Sequence, residues 1–437
     1  MHHQLIDFIN KENLVAQGEK VLLAVSGGID SVLMCHLFSL AGFPFAMAHC
    51  NFKLRGKESD GDAQLVESLA EKLSVPFHLK ICDAAAYAQE KKCSIQMAAR
   101  DLRFAWFEEL CKTNDYAVYA TAHHIDDAIE TFFINQLRGT GIAGLHGIKP
   151  KNGKLIHPLL FTNRKQITEY VRENNLVFRE DSSNKKIKYL RNRLRQSLMP
   201  VLEEIQPSYR ETFMQNMQRF HAAESVYLQK IEEERQKIFR LEKENVVLSI
   251  AVLNNLSNPE TYLYEFLKPF SFGFPATQEI LAAILSKSIG AQFYANEYVL
   301  LVDRENLILT KKQAPAAKEF FIQAETGELT EPLQLKWDVL NFFELEKNPN
   351  IALLDFEKLH FPLEIRKWKM GDVFFPLGMT GKKHLSDFFI DLKLNRFQKE
   401  NTWLLVSEKE IVWIIGLRID NRFKVTENTK KILRIEC

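Results

Sequence analysis

The sequence predicts an α/β fold: an N-terminal open parallel sheet with helices on both faces, followed by a mainly helical middle domain and a small α+β C-terminal domain. Three observations carry this. A short apolar run, Val21-Leu22-Leu23-Ala24-Val25, meets a glycine turn and then apolar residues at helical spacing, which reads as strand, loop, helix. Further strand-like runs at 45–49, 76–81 and 116–121 alternate with helical stretches, as in βαβ units of a parallel sheet. Past a polar break at Lys311-Lys312-Gln313-Ala314-Pro315, alternating runs such as 333–340 and 351–356 take over. The expected domains are therefore 1–215, 216–312 and 313–437.

At 437 residues and 46% hydrophobic content, the chain can bury more than one core. Its 57 basic and 56 acidic residues leave a formal charge of +1, so polarity toward a charged partner has to reside in local runs. Five of the six cysteines (Cys35, Cys50, Cys82, Cys93, Cys111) fall in apolar or helical stretches, and no Cys-x-x-Cys occurs. That argues against a zinc ribbon or a paired redox site and for buried reduced thiols. The first residues are amphipathic with an early acid, Asp7, unlike a signal peptide. The longest apolar run, 32–50, is broken by His36, Gly42 and Pro44 and fails as a membrane span, so the expected address is cytoplasmic with no membrane partner.

The first element with chemistry is Ser26-Gly27-Gly28-Ile29-Asp30-Ser31, between the first strand and the helix expected at 29–41. The glycines let backbone approach an oxyanion, and Ser26, Ser31 and the N–H groups of the helix's first turn supply donors aided by the helix dipole. Asp30 is out of place among anion donors unless a divalent cation, Mg²⁺ by its oxygen preference, lies between it and the phosphate. The loop is neither the Walker sequence nor Gly-x-Gly-x-x-Gly. A strand-to-helix turn without a ligand is the plain alternative. The hexapeptide resembles the PP-loop of the N-type ATP pyrophosphatases, which implies ATP split to AMP and pyrophosphate.

The second strand ends near His49, Asn51 and Arg55, beyond the carboxyl edge where an open sheet holds ligands. Ser59-Asp60-Gly61-Asp62 is expected to cap a helix running to Leu73. Ser94 opens a longer helix whose Arg100 and Arg103 share a face, while Phe104, Trp106 and Phe107 mark its buried side. The fourth strand ends in Ala122-His123-His124-Ile125-Asp126-Asp127-Ala128-Ile129-Glu130-Thr131. With a helix starting near His124, the i,i+3 spacing puts Asp127 and Glu130 on one face. That arrangement suits a cationic or amine substrate. A transition-metal site and simple helix-dipole complementarity are the competing readings.

Four glycines between Gly139 and Gly147 mark a turning or flexible loop after Arg138, and a helix follows at 162–174. Residues 185–195 carry Lys185, Lys186, Lys188, Arg191, Arg193 and Arg195 without an acid, a concentration of charge suited to a polyanion or to an ordinary basic helix face. A charged connecting helix spans 208–245. Near the end, residues 365–389 interleave basic residues, among them Lys382 and Lys383, with aromatics and glycine turns, fitting either an RNA-facing surface or a solvated hairpin.

Taken together, the Ser26–Ser31 loop, the His123–Thr131 stretch with Arg138-Gly139, the Tyr189–Arg195 run and the Gly371–Phe389 segment resemble the tRNA(Ile)-lysidine synthetase family over nearly the whole chain. Two departures are Phe52, where many relatives carry histidine, and Phe104 in place of a frequent tyrosine. The resemblance implies a PP-loop, Rossmann-like catalytic domain and a ligation that joins L-lysine to C2 of the wobble cytidine of tRNA(Ile) with anticodon CAU. Ser26, Gly27, Gly28, Ile29, Asp30, Ser31, His49 and Asn51 would hold ATP, with Mg²⁺ near Asp30. Asp127 and Glu130 would hold the lysine amine, with Asp127 as its proton acceptor. Arg100, Arg103, Arg138, Arg191, Arg193, Arg195, Lys382 and Lys383 would meet tRNA, and a homodimer is compatible with the sequence. Another PP-loop enzyme, such as a tRNA thiolase or an amide-forming synthetase, and a non-catalytic RNA-binding protein are the rival readings.

Overall fold

Strand β1 (Val21–Ala24) sits at the middle of the first sheet because both of its faces are apolar. Val21 and Leu23 point one way into a core with Leu33, Phe38, Met47 and Ala120, while Leu22 points the other way toward Ala46, Ala48, Phe107 and Tyr119. This computed structural model describes residues 1–54, 56–179, 190–242, 244–312, 320–323, 326–342, 348–379 and 381–437.

The chain order in the first unit, Met1–Leu228, is α1 (His2–Lys11), β1, α2 (Ile29–Leu40), β2 (Phe45–Asn51), α3 (Lys57–Leu73), β3 (Phe77–Ile81), α4 (Ala84–Lys91), α5 (Ile95–Thr113), β4 (Val118–Ala120) and α6 (Ile125–Arg138). It continues through β5 (Lys151–Asn152), β6 (Leu155–Ile156), α7 (Arg164–Glu173), α8 (Leu190–Arg193), α9 (Met199–Ile205) and α10 (Tyr209–Ile238), the last running past the end of the unit. The sheet order is β3-β2-β1-β4-β6-β5, parallel except for the β5/β6 pair. Helices α1, α2, α3 and α7 cover one face, with Leu5, Ile9, Val66, Ala70, Ile167 and Val171 buried there. Helix α5 covers the other with Trp106, Phe107, Leu110 and Cys111. The predicted open sheet with helices on both faces is the one observed.

This topology decides where a ligand goes. From β1 the chain steps outward through β2 and β3, then returns to the opposite side of β1 as β4, so the direction of winding reverses between β1 and β4. Open sheets bind ligands beyond the carboxyl ends of strands at such a reversal. The Ser26–Ser31 loop follows β1 and the His123–Glu130 stretch follows β4, on the two sides of that crevice.

Local differences from the sequence expectations have simple causes. Helix α3 starts at Lys57, so Ser59 lies inside its first turn and does not cap it; Gly56, at φ +55°, reverses the chain just before. The glycine-rich stretch after Arg138 is a tight turn with a short 3₁₀ segment at Ile142–Gly144. Gly147, at φ +61°, passes so close to α6 that a Cβ there would stand 2.6 Å from the Ala128 carbonyl oxygen.

The second unit, Gln229–Cys437, carries several antiparallel sheets. Its first part combines the end of α10 and the helices Ile250–Asn254, Pro259–Leu267 and Phe274–Leu285 with an antiparallel sheet that the sequence reading did not resolve. That sheet has the spatial order Phe239–Glu242, Asn245–Ser249, Asn306–Lys311, Tyr298–Val302, Gln292–Tyr294. Phe266, Phe272 and Leu300 are buried there, while Tyr262, Tyr264, Phe270 and Phe293 are partly buried. The second part has a five-stranded and a four-stranded antiparallel sheet around Leu354, Leu363, Leu405, Trp413 and Leu433. In the 365–389 segment the rings go inward: Phe374 and Phe389 are buried, with Trp368 edge-on to Phe389 at 5.4 Å. Arg366 is spent on Asp372 through two hydrogen bonds of 2.8 and 2.9 Å. The six cysteines are all free. Among the described residues no helix is long and apolar enough to cross a membrane.

The close approach at Gly147 sets a stability contrast. Gly147→Ala should cost the first unit about 2–4 kcal/mol, from left-handed strain plus a backbone clash against α6. Gly153→Ala, also at positive φ but with nothing within 4 Å, should cost only about 1 kcal/mol. Thermal unfolding of the two variants beside wild type checks the order.

Candidate active site

The crevice between β1 and β4 is built from three chain segments. The first is the glycine loop. Gly27 takes φ +86° and Gly28 caps α2 in an extended conformation, so the loop turns sharply into the helix. Ser31 Oγ donates to the Gly28 carbonyl at 2.9 Å and accepts from the Ser26 N–H at 3.2 Å; Ser26 Oγ accepts from the Gly28 N–H at 3.3 Å. Both serines thus shape the loop, at the N-terminus of a twelve-residue helix where the dipole favours an anion.

Behind the loop, His49 and Asn51 act as braces. The buried His49 ring donates from Nδ1 to the Val25 carbonyl at 2.8 Å, tying the end of β2 to the end of β1; burial lowers its pKa. Asn51, also buried, donates to Ser59 O and to Asp60 Oδ1 and accepts from the Lys53 N–H. Their mapped polar contacts are internal, which differs from the expectation that they reach a nucleotide directly.

The second segment is the start of α6. Its N-cap is His124, whose backbone N–H donates to Asp127 Oδ2 at 3.1 Å. The reading of Asp127 and Glu130 on one face holds in the geometry, since Arg195 reaches both: its Nε donates to Glu130 Oε1 at 2.8 Å and its Nη2 stands 3.1 Å from Glu130 Oε2 and 3.4 Å from Asp127 Oδ1. Arg191 Nε adds an ion pair to Glu130 at 3.3 Å and its Nη2 donates to Thr131 Oγ1 at 2.9 Å. A carboxylate as buried as Glu130, with no exposed side-chain surface, requires such partners.

The environments push the two acids apart. Burial raises Glu130, and the contacts with Arg195 do not fully offset it. Burial also acts to raise Asp127, but the neighbouring His124 and His123, the His124 N–H and Arg191 outweigh it, leaving that carboxyl below its ordinary range. His123, hydrogen-bonded to Thr121 Oγ1 at 2.8 Å and edge-on to His157 at 5.1 Å, is lowered to about 4 by burial, as is His157. Among the described residues no group of three or more His, Cys, Asp or Glu side chains is placed to hold a metal by itself, so the transition-metal reading has no ligand set in this region.

The third segment, the N-terminus of α7, gave no signal in the sequence. Arg164 Nη1 donates to both oxygens of Asp30, at 2.6 and 2.8 Å, while its backbone N–H donates to Asp126 Oδ2 at 2.9 Å. Asp126 in turn accepts from Arg210 Nε on α10 at 2.6 Å. One buried acid thus fastens α6, α7 and α10 together. Asp126 stood inside the motif but beside a more conspicuous pair; Arg164 lies 134 residues from its partner, and only the topology joins them.

Of the remaining cationic candidates, Arg100 lies exposed over the Phe104 ring at 4.7 Å. Arg103 is largely buried, with a buried Nε lacking a hydrogen-bond partner, and desolvation lowers its pKa. Arg138 and Arg193 are exposed. Arg191 and Arg195 pair with Glu130, which needs counter-charge, while their side chains stay 42% and 44% exposed. In the second unit Lys382 is exposed and Lys383 pairs with Asp391. Arg55 and the basic residues Lys185, Lys186 and Lys188 lie outside the described residues.

Comparison with known proteins finds three family models along the chain: a PP-loop domain over residues 1–202, a TilS substrate binding domain over 241–312 and a TilS substrate C-terminal domain over 363–437. The chain is 42% identical over 436 residues to the tRNA(Ile)-lysidine synthase of Parabacteroides distasonis, with 99% of both chains covered. It is 37% identical over 436 residues to that of Bacteroides thetaiotaomicron, again with 99% of each covered. The similarity to that of Caldanaerobacter subterraneus subsp. tengcongensis is 30% identity over 460 residues, covering 100% of this chain and 97% of the relative.

The two histidines fix a pH dependence. In the unfolded chain they protonate near 6.5, and in the fold only near 4, so between those values the unfolded state binds more protons and stability falls as pH falls. Glu130, shifted the opposite way, offsets part of this. The melting temperature of the first unit should drop steadily from pH 7 to 4.5, and His157→Gln should flatten the slope; calorimetry across that range checks both.

Proposed function

The chain belongs to the tRNA(Ile)-lysidine synthase family, an ATP-using ligase family that modifies tRNA, and from that premise we propose that it joins the ε-amine of L-lysine to C2 of the wobble cytidine in the CAU anticodon of tRNA(Ile). One observation supports this most. Arg164 donates to Asp30 of the glycine loop through its side chain and to Asp126 through its backbone, and Arg195 bridges Asp127 and Glu130 on the same first turns of α6, so the glycine loop and the acid pair border one crevice. A two-step ligation needs such a shared crevice, because the group activated by adenylation must remain within reach of the amine.

In the first step, cytidine O2 attacks the α-phosphate of ATP lying along Ser26–Ser31, and pyrophosphate leaves. The N–H groups of the loop and of the first turn of α2 stabilise the charge that grows on the phosphate oxygens. Asp30 suits Mg²⁺, because its carboxylate already takes a cationic partner and Mg²⁺ is ordinarily held by one or two carboxylates plus substrate phosphates. When bound, that ion would neutralise charge on the departing pyrophosphate.

In the second step the lysine amine displaces AMP. The ammonium settles between Asp127 and Glu130, where Arg195 now supplies the positive charge, and it must lose a proton before it attacks. We reassign the proton acceptor from Asp127 to Glu130. Asp127 is held ionised and binds the cation electrostatically, whereas the buried Glu130 is the more basic of the two. Arg100, Arg103, Arg138 and Arg193 would meet the anticodon stem-loop. His49 and Asn51 keep the loop in position. Residues 216–312 and 313–437, including Lys382 and Lys383, would grip the rest of the tRNA.

The purified protein should incorporate labelled lysine into unmodified tRNA(Ile) bearing CAU, dependent on ATP and Mg²⁺. Asp127→Asn and Glu130→Gln should each lower transfer by about 100-fold or more. Transfer that is absent with wild type, or unchanged in Asp127→Ala, overturns the reading.

A further inference from the structure

The glycine loop holds an acid where a Walker loop carries lysine, so the cradle has no cation of its own. The N-terminus of α2 contributes only about half a positive charge. A triphosphate placed there, beside Asp30, leaves several negative charges uncompensated. Arg164 is ion-paired with Asp30, whereas Arg195, the cation on the neighbouring acids, is committed to Glu130 and Asp127.

Arg164 is mounted in an unusual way. Its backbone is fixed, since it is the first residue of α7, its N–H is held by Asp126, and the preceding Asn163 caps the helix by accepting from the Gln166 N–H at 3.0 Å. Its head is not fixed in the same way: the side chain is 50% exposed and its mapped contacts are the two to Asp30, which is itself 28% exposed. A solvent-facing pair of this kind holds its partners weakly. A guanidinium on an anchored stem, beside an anion cradle and weakly held, is positioned to exchange one oxyanion for another. Its planar fork fits phosphate oxygens as well as it fits carboxylate.

We propose that Arg164 is the cation of the nucleotide cradle, resting on Asp30 without ligand and turning onto the β- and γ-phosphate oxygens when ATP binds. The exchange forms and breaks no covalent bond. It releases the Asp30 carboxylate as the phosphates gain a counter-charge, so the acid becomes free for a cation that arrives with the nucleotide. Arg164 then stays with the pyrophosphate as it leaves. This rests on the reading of Ser26–Ser31 as the nucleotide loop.

The test measures binding of inorganic pyrophosphate, without divalent cations, to the full chain by calorimetry. Arg164→Gln should weaken binding by about tenfold or more, the scale of a charge-assisted contact, and Arg164→Lys should recover part of it. Asp30→Asn should bind pyrophosphate more tightly than wild type, and adding Arg164→Gln to it should again cost about tenfold. A partner that merely holds Asp30 in place would give no loss in the Asp30→Asn background. Wild-type binding with Arg164→Gln within twofold of it, at an unchanged melting temperature, overturns this proposal alone. A wild-type chain that binds neither pyrophosphate nor ATP overturns it together with the nucleotide reading.

Discussion

The first unit is arranged around a cost: Glu130 is a carboxylate with no exposed side-chain surface, at the carboxyl edge of a sheet. Removing one partner from a buried charge pair typically destabilises by about 3–5 kcal/mol, because the remaining charge is left without compensation. Arg195 and Arg191 therefore fold back over α6, although the sequence around them looks like an outward basic face. Directly after α8 the helix widens into a π-turn at Leu194–Leu198, which contains Arg195. Such widened turns often accompany functional sites. Here the turn lies where the chain has to deliver a guanidinium to an acid.

Asp126, one residue before Asp127, does parallel work for the scaffold. It binds the α7 backbone through Arg164 and the α10 side chain Arg210. Adjacent residues at a helix start point in different directions, so Asp126 can serve the framework while Asp127 faces the crevice. The three polar residues His124, Asp126 and Asp127, with Ile125 between the first two, thus divide into a cap, a fastener and the acid proposed to face the amine. All of this is compressed into one helical turn.

Much of this was legible in the sequence, because short-range patterns encode it. The continuous apolar run of β1, with further strand-like runs alternating with helical stretches, gave the two-faced sheet. The glycine pair gave the turn, and the spacing of Asp127 and Glu130 gave their common face. What escaped was long-range or depended on context. Arg164 is an ordinary helix-start residue until the fold brings it to Asp30. The antiparallel sheet at 239–311 was hidden because short apolar runs such as Val299–Val302 do not by themselves distinguish strand from buried helix. The basic and aromatic residues of 365–389 suggested an RNA-facing surface or a solvated hairpin, yet Phe374 and Phe389 fill a core, since composition says nothing about direction. His49 and Asn51 were placed at the correct edge by strand position, but only the hydrogen bonds reveal that they brace it from behind.

The reversal of winding between β1 and β4 has one more consequence. Neighbouring strands lie about 4.8 Å apart, so the loop after one and the helix after the other face each other without any hinge having to bring them together. On the proposed function, the half that energises an oxygen and the half that selects the incoming nucleophile are encoded by separate stretches of chain, nearly a hundred residues apart. Rewriting the first turn of α6 would retarget the acceptor chemistry and leave the energy-supplying half intact, a modularity well suited to diversification.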